Sequence, residues 1–213
     1  KFKYSKNEAM NIVSNIHPDW VNLFQEKCIK HTAANQNKND FKIYDTDGGF
    51  ITNISAKTSK KRMSKVAPQT IGQLNTKRFD EIYKTGTDKG LIKKYITENI
   101  TKLLDEFSSN TFDDNIILFY NKASSSYLCI KKKEDIEFNL YDYEFTRSAS
   151  EWNSSTIVKL KNCPIMECQV HNTRDGVVSR WYFENILKIF DDKFIIKEMT
   201  KGVSIEEFNE MLG

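Results

Sequence analysis

The chain has 213 residues, 39% of them hydrophobic, with 8 Gly, 3 Pro and no low-complexity run, which suits a single α/β domain with one sizeable core and room for a small appended lobe. A net charge of +3 is too mild for a histone-like binder, so affinity for a polyanion must come from uneven placement of charge. No apolar run approaches the roughly 20 residues of a membrane span and no signal-peptide pattern opens the sequence, so a soluble, cytoplasmic protein is expected. Cys28, Cys129, Cys163 and Cys168 sit in apolar stretches without a CxxC pair; they read as buried free thiols of a reducing compartment, not as a zinc site.

Ser5 and Glu8 form a capping box ahead of an apolar stripe of Ala9, Met10, Ile12, Val13 and Ile16. Pro18 opens a second expected helix through Trp20, Val21, Phe24 and Ile29. Residues 31–39 are polar and aperiodic, a loop leading to the stretch on which the chain turns. There, Phe41 to Tyr44 and Phe50 to Thr58 are rich in apolar and β-branched residues and flank Asp45-Thr46-Asp47-Gly48-Gly49, which predicts a hairpin spanning residues 40–58. Alternation places Ser55 and Lys57 on one face, where Asp40 can also point, and turns Phe50, Ile54 and Ala56 toward a core.

An acid at the mouth of one strand and x-x-Lys on the other resemble the PD-(D/E)xK nucleases. Asn39-Asp40 stands where that family has Pro-Asp, and Ser55-Ala56-Lys57 where it has (D/E)-x-Lys. The resemblance implies a restriction-endonuclease-like mixed β-sheet flanked by helices in a single domain, 1–213, most similar to a type II restriction enzyme. It further implies Mg²⁺-dependent phosphodiester hydrolysis of double-stranded DNA leaving 5′-phosphate and 3′-hydroxyl ends. Asp40 would bind the metal, since a hard cation needs an oxygen ligand, and Lys57 would orient or deprotonate the attacking water. Ser55 departs from the pattern by replacing the second carboxylate. Glu8 or Gln73 would complete the ligand set, with the capping role of Glu8 kept as its other reading.

Lys57, Lys60, Lys61, Arg62 and Lys65 fall within nine residues that contain no acid, a charge block suited to a polyanion and equally to an ordinary basic loop. Pro68 to Tyr83 reads as a helix whose polar residues, Gln69 and Gln73 among them, could face DNA. Leu91 to Phe107 carries one continuous apolar stripe and reads as a single amphipathic helix. Residues 115–120 and 127–130 are short apolar runs of the kind that form central strands covered on both faces. Ile136 to Phe145 reads as an edge strand, and Thr146 to Ser155, with Arg147, as a loop able to meet phosphates.

A second hairpin is expected at 165–183, turning at Asn172 to Gly176. Glu167, Gln169 and His171 share one face, with Arg174 at the tip and Arg180 on the return strand. These residues suit base reading in the major groove, where Arg pairs with guanine and Gln with adenine. Two rivals stay open: a solvated strand, and a catalytic role for Glu167, Gln169 and His171. Ser204 and Glu207 cap a final expected helix. The function expected is a sequence-specific DNA endonuclease; a structure-specific repair or junction nuclease and a non-catalytic nucleic-acid-binding module remain alternatives. A homodimer suits a palindromic target, and a monomer that nicks each strand in turn is equally compatible.

Overall fold

A computed structural model of the chain describes residues 29–32, 39–45, 47–59, 65–113, 115–121 and 126–199. The first expected N-terminal helix, the second up to Ile29, the expected C-terminal helix, Glu8, Lys60, Lys61 and Arg62 lie outside the described residues. The mixed α/β content is as expected, and its strands divide into two sheets. The chain forms two compact units, Lys1–Met63 with Asp114–Lys133 and Phe194–Gly213, and Ser64–Asp113 with Glu134–Lys193.

The first unit holds β1 (Ile29–His31), β2 (Phe41–Tyr44), β3 (Phe50–Ser59), β6 (Asn115–Asn121), β7 (Ser126–Lys132) and β12 (Phe194–Met199), side by side in that order. Among the described strands only β3 and β6 pair in parallel, Ser55 opposite Ile117 and Lys57 opposite Phe119. A parallel pair requires a long crossover, and the connection here carries residues 64–113 of the second unit. Ile116, Ile117, Leu118 and Phe119 are consecutive and all buried, so β6 is covered on both faces, as its unbroken apolar run implies.

The second unit holds a wholly antiparallel sheet ordered β4 (Lys65–Val66), β11 (Val177–Tyr182), β10 (Cys163–Val170), β9 (Ser155–Leu160) and β8 (Glu144–Phe145). The two-residue β5 (Gln73–Leu74) also pairs with β11. Alternation is strict on β9, where Thr156, Val158 and Leu160 are buried between half-exposed neighbours. The buried face gathers Met166, Cys168, Val170 and Trp181. Phe138 stacks on Trp181 at 6.2 Å, and Phe112 stacks on Phe183 at 5.9 Å. The indole N–H of Trp181 donates to Thr111 Oγ1 at 3.0 Å, which satisfies a polar group that would otherwise be costly in this core. Burial pushes the Cys129 and Cys168 thiols up to about 12, so both are inert side chains of the interior.

Several expectations are corrected. Ile29 ends no helix; it opens β1, and His31 belongs to that strand because both pair with β2. Phe50 and Ala56 are exposed: a register shift beside Ile43 and Tyr44 disrupts the ladder near Phe50, and Ala56 lies past the end of β2. Pro68 to Tyr83 is not one helix. A turn and β5 precede α1 (Thr76–Tyr83), which starts where Asn75 accepts the Arg78 amide at 2.7 Å. The stripe from Leu91 to Phe107 is divided at Asn99 into α2 (Lys89–Glu98) and α3 (Ile100–Phe112), and Leu91 is exposed. Ile136 to Phe145 supplies a 3-10 turn, Phe138–Leu140, and only the short β8 at the sheet edge. The elements β4, β9, β12 and α4 (Phe183–Ile189) were not expected.

Ile117 is fully buried on the central strand β6. Ile117→Ala is expected to lower unfolding free energy by about 2–5 kcal/mol, read as a fall in the denaturant midpoint.

Candidate functional site

The β2–β3 hairpin converges on Asp40. Phe41 pairs with Ile54, so Asp40, one step earlier, stands across from Ser55, and its own amide donates to the Ile54 carbonyl at 3.0 Å. Strand β2 has not yet begun at this point, and the side chain takes over from the missing backbone: Asp40 Oδ2 accepts the Ala56 amide at 2.7 Å. The same oxygen lies 3.5 Å from Ser55 Oγ, which donates to it. Asp40 Oδ1 makes no hydrogen bond among the described residues.

Ser55 has no exposed surface, whereas Lys57, two residues on and on the same face, is half-buried. Burial holds the Lys57 ammonium below the ordinary lysine range, and the Asp40 carboxylate acts on it in the opposite direction through its charge. An amine so placed gives up its proton more readily than a surface lysine. Asp40, Ser55 and Lys57 are therefore brought together on one face of the first sheet. Gln73 is on β5 in the second unit, exposed. Among the described residues no group of three or more His, Cys, Asp or Glu side chains is placed to hold a metal ion.

The second hairpin forms over β10 and β11, with Glu167 opposite Arg180. Glu167 is not solvated. It is buried and receives Lys65 Nζ at 2.8 Å and Arg180 Nη1 at 3.2 Å. Lys65 reaches it because β4 pairs with β11, Lys65 opposite Tyr182, and its ammonium also lies 4.8 Å from the Tyr182 ring centre. Burial works to lower the Lys65 pKa, but the hydrogen bonds and charges of Glu167 and Tyr182 outweigh it and the net shift is upward. Arg180 Nη1 also donates to Gln169 Oε1 at 3.3 Å.

The turn of this hairpin is tied down. Asp175 accepts the Thr76 amide at 2.8 Å, and Lys89 Nζ donates to the Asn172 carbonyl at 2.8 Å. His171 Nε2 lies 2.8 Å from Arg174 Nη2; a guanidinium only donates, so the imidazole accepts as its neutral form. Burial, then the charges of Arg174, Arg180 and Lys89, hold the His171 pKa below its ordinary value. Arg147 is exposed and donates to the Ser155 carbonyl at 3.3 Å, while Gln69 is half-buried in the turn after β4. The pairing of Lys65 with Glu167 across 102 positions was not legible in the sequence.

Over 197 residues the chain is 35% identical to the type II restriction enzyme CviAII of Paramecium bursaria Chlorella virus 1, a match covering 91% of this chain and 55% of that protein. The chain thus spans about half the length of the curated relative it matches. No family model and no solved structure matches the chain.

Asp40 has a structural task that needs an acceptor and no charge. Asp40→Asn, which keeps an acceptor for the Ala56 amide, is expected to lose less stability than Asp40→Ala, whose loss should be about 1 kcal/mol; parallel thermal melts measure the difference.

Proposed function

We propose that the chain carries the catalytic hairpin of a Mg²⁺-dependent, sequence-specific endonuclease that hydrolyses double-stranded DNA and leaves 5′-phosphate and 3′-hydroxyl ends. The observation that carries this reading is the convergence of the Asp40 carboxylate, the Ser55 hydroxyl and the Lys57 ammonium on one face of β2 and β3. The 35% identity to a type II restriction enzyme supports it. So does the half-buried state of Lys57, where burial lowers the pKa and eases loss of the proton.

The donor set fits a magnesium ion in part. Such ions are held by one or two carboxylates, with water and substrate phosphate filling the remaining positions. Asp40 Oδ1 is uncommitted among the described residues and would be the first ligand; Glu8 is the proposed second. Bound there, the ion would neutralise charge on the scissile phosphate. Lys57 would orient the attacking water and draw off its proton, and the Ala56 amide together with Ser55 Oγ would fix the Asp40 carboxylate through its other oxygen. The basic residues Lys60, Lys61, Arg62 and Lys65, with Gln69 and Arg147, are proposed to meet the DNA backbone, and Gln169, His171, Arg174 and Arg180 to meet its bases. A homodimer and a monomer both accommodate this scheme.

A non-catalytic nucleic-acid-binding module is the second reading, favoured by Ser55, which stands where a second carboxylate would be needed beside Asp40. A Mg²⁺ titration with supercoiled plasmid separates the two: cleavage should appear with the metal and vanish on chelation. Asp40→Asn and Lys57→Ala should each lower the cleavage rate at least about a hundredfold with duplex affinity in a metal-free binding assay little changed. Cleavage at the native rate in either variant would remove this hairpin from the reaction.

A further inference from the structure

The polar face of the second sheet contains a row of side chains that the sequence alone does not assemble. Val178 pairs with Gln73 of β5 on one side and with Gln169 of β10 on the other. Directly opposed residues of antiparallel strands project to the same face. The two amides thus flank Val178 across three adjacent strands, in line at about 10 Å from first to last strand. Arg180, two residues along β11, falls on this face beside Gln169 and is held by hydrogen bonds to Gln169 Oε1 and Glu167 Oε2. Gln73 is exposed, and its side chain makes no hydrogen bond among the described residues.

We propose that Gln73, Gln169 and Arg180 form one base-reading row on this face, with duplex DNA as its partner, and that Glu167 is a positioning residue that aims Arg180. The proposal rests on the endonuclease reading and adds the residues that would determine its specificity. It also moves Gln73 from the metal site, where the sequence suggested it, to recognition.

The chemistry suits DNA in three respects. A carboxamide offers the donor and acceptor pair that adenine presents in the major groove, and a guanidinium offers the two donors that guanine accepts. A spread of about 10 Å covers about three base-pair steps at 3.4 Å each and fits a groove about 12 Å wide. Two cations, Lys65 and Arg180, face the one acid of the row, Glu167, while Glu144 and Lys159 oppose one another at the far edge. Glu167 contacts both Lys65 and Arg180, so removing its charge would release the guanidinium from its fixed direction while leaving the sheet pairing intact.

The test is selection from a randomised duplex pool in metal-free buffer by the 213-residue chain, with the bound DNA sequenced. The native chain should enrich one short site. Gln73→Ala should relax the preference at one position and weaken binding to that site by about tenfold to a hundredfold, with affinity for unselected duplex unchanged. Glu167→Gln should relax the same position as Arg180→Ala, an agreement that a purely structural role for Glu167 would not produce; Gln73→Ala, at an exposed position, and Gln169→Ala, at a half-buried one, carry the test if Glu167→Gln does not fold. Enrichment of one site by the native chain and of the same site, equally, by the Gln73, Gln169 and Arg180 variants would overturn this inference alone. Failure of the native chain to enrich any site would overturn the sequence-specific reading beneath it as well.

Discussion

The hydrogen bond from the Ala56 amide to Asp40 Oδ2 is the contact on which the proposed site depends. Strand β3 continues past the first residue of β2, and there its backbone loses its antiparallel partner. The Ala56 amide, exposed and without a partner from β2, takes the Asp40 carboxylate as its acceptor. That bond turns the side chain toward Ser55 and brings its charge to bear on Lys57, while leaving its other oxygen uncommitted among the described residues. The arrangement therefore comes from how a strand ends, and the chemistry proposed for it uses what the ending leaves over.

The second unit is organised by a separate need. One face of its sheet is packed by Trp181, Met166, Cys168 and Val170, and strict alternation then dictates that Glu167, Gln169 and Arg180 share the other face. A carboxylate buried to the extent of Glu167 is costly without counter-charges. It has two, one from the opposite strand and one from β4, docked on the same strand β11. The resulting network fixes the direction of Arg180, and an arginine of fixed direction is better suited to discriminate among bases than a free one.

Much of this was legible in the residues. The alternation around Asp40, Ser55 and Lys57 and the Gly-containing turn set the first hairpin, and the turn at Asn172 to Gly176 set the second. The continuous apolar run of β6 announced a strand covered on both faces. Other features were hidden for identifiable reasons. β5 is only two residues long, and the apolar spacing of Ile71, Leu74 and Phe79 imitates a helix across it; its partner β11 lies about a hundred positions away. Asn99 interrupts a stripe that keeps its phase on both sides, so periodicity reads two helices as one. The short runs at β9 and β12 carry no turn signal strong enough to separate them from loop or unassigned core. The role of Glu167 depended on Lys65, which sequence reading had assigned to a basic block bordering the first hairpin.

The proposed reaction is cleavage of DNA at defined places by the Asp40 hairpin. Incubating unmethylated DNA of known sequence with the native chain and Mg²⁺, then sequencing the fragment ends, tests it most directly. A discrete set of fragments is expected, with ends that share one short sequence and carry 5′-phosphates. DNA recovered intact, or broken at scattered positions regardless of sequence, would contradict it.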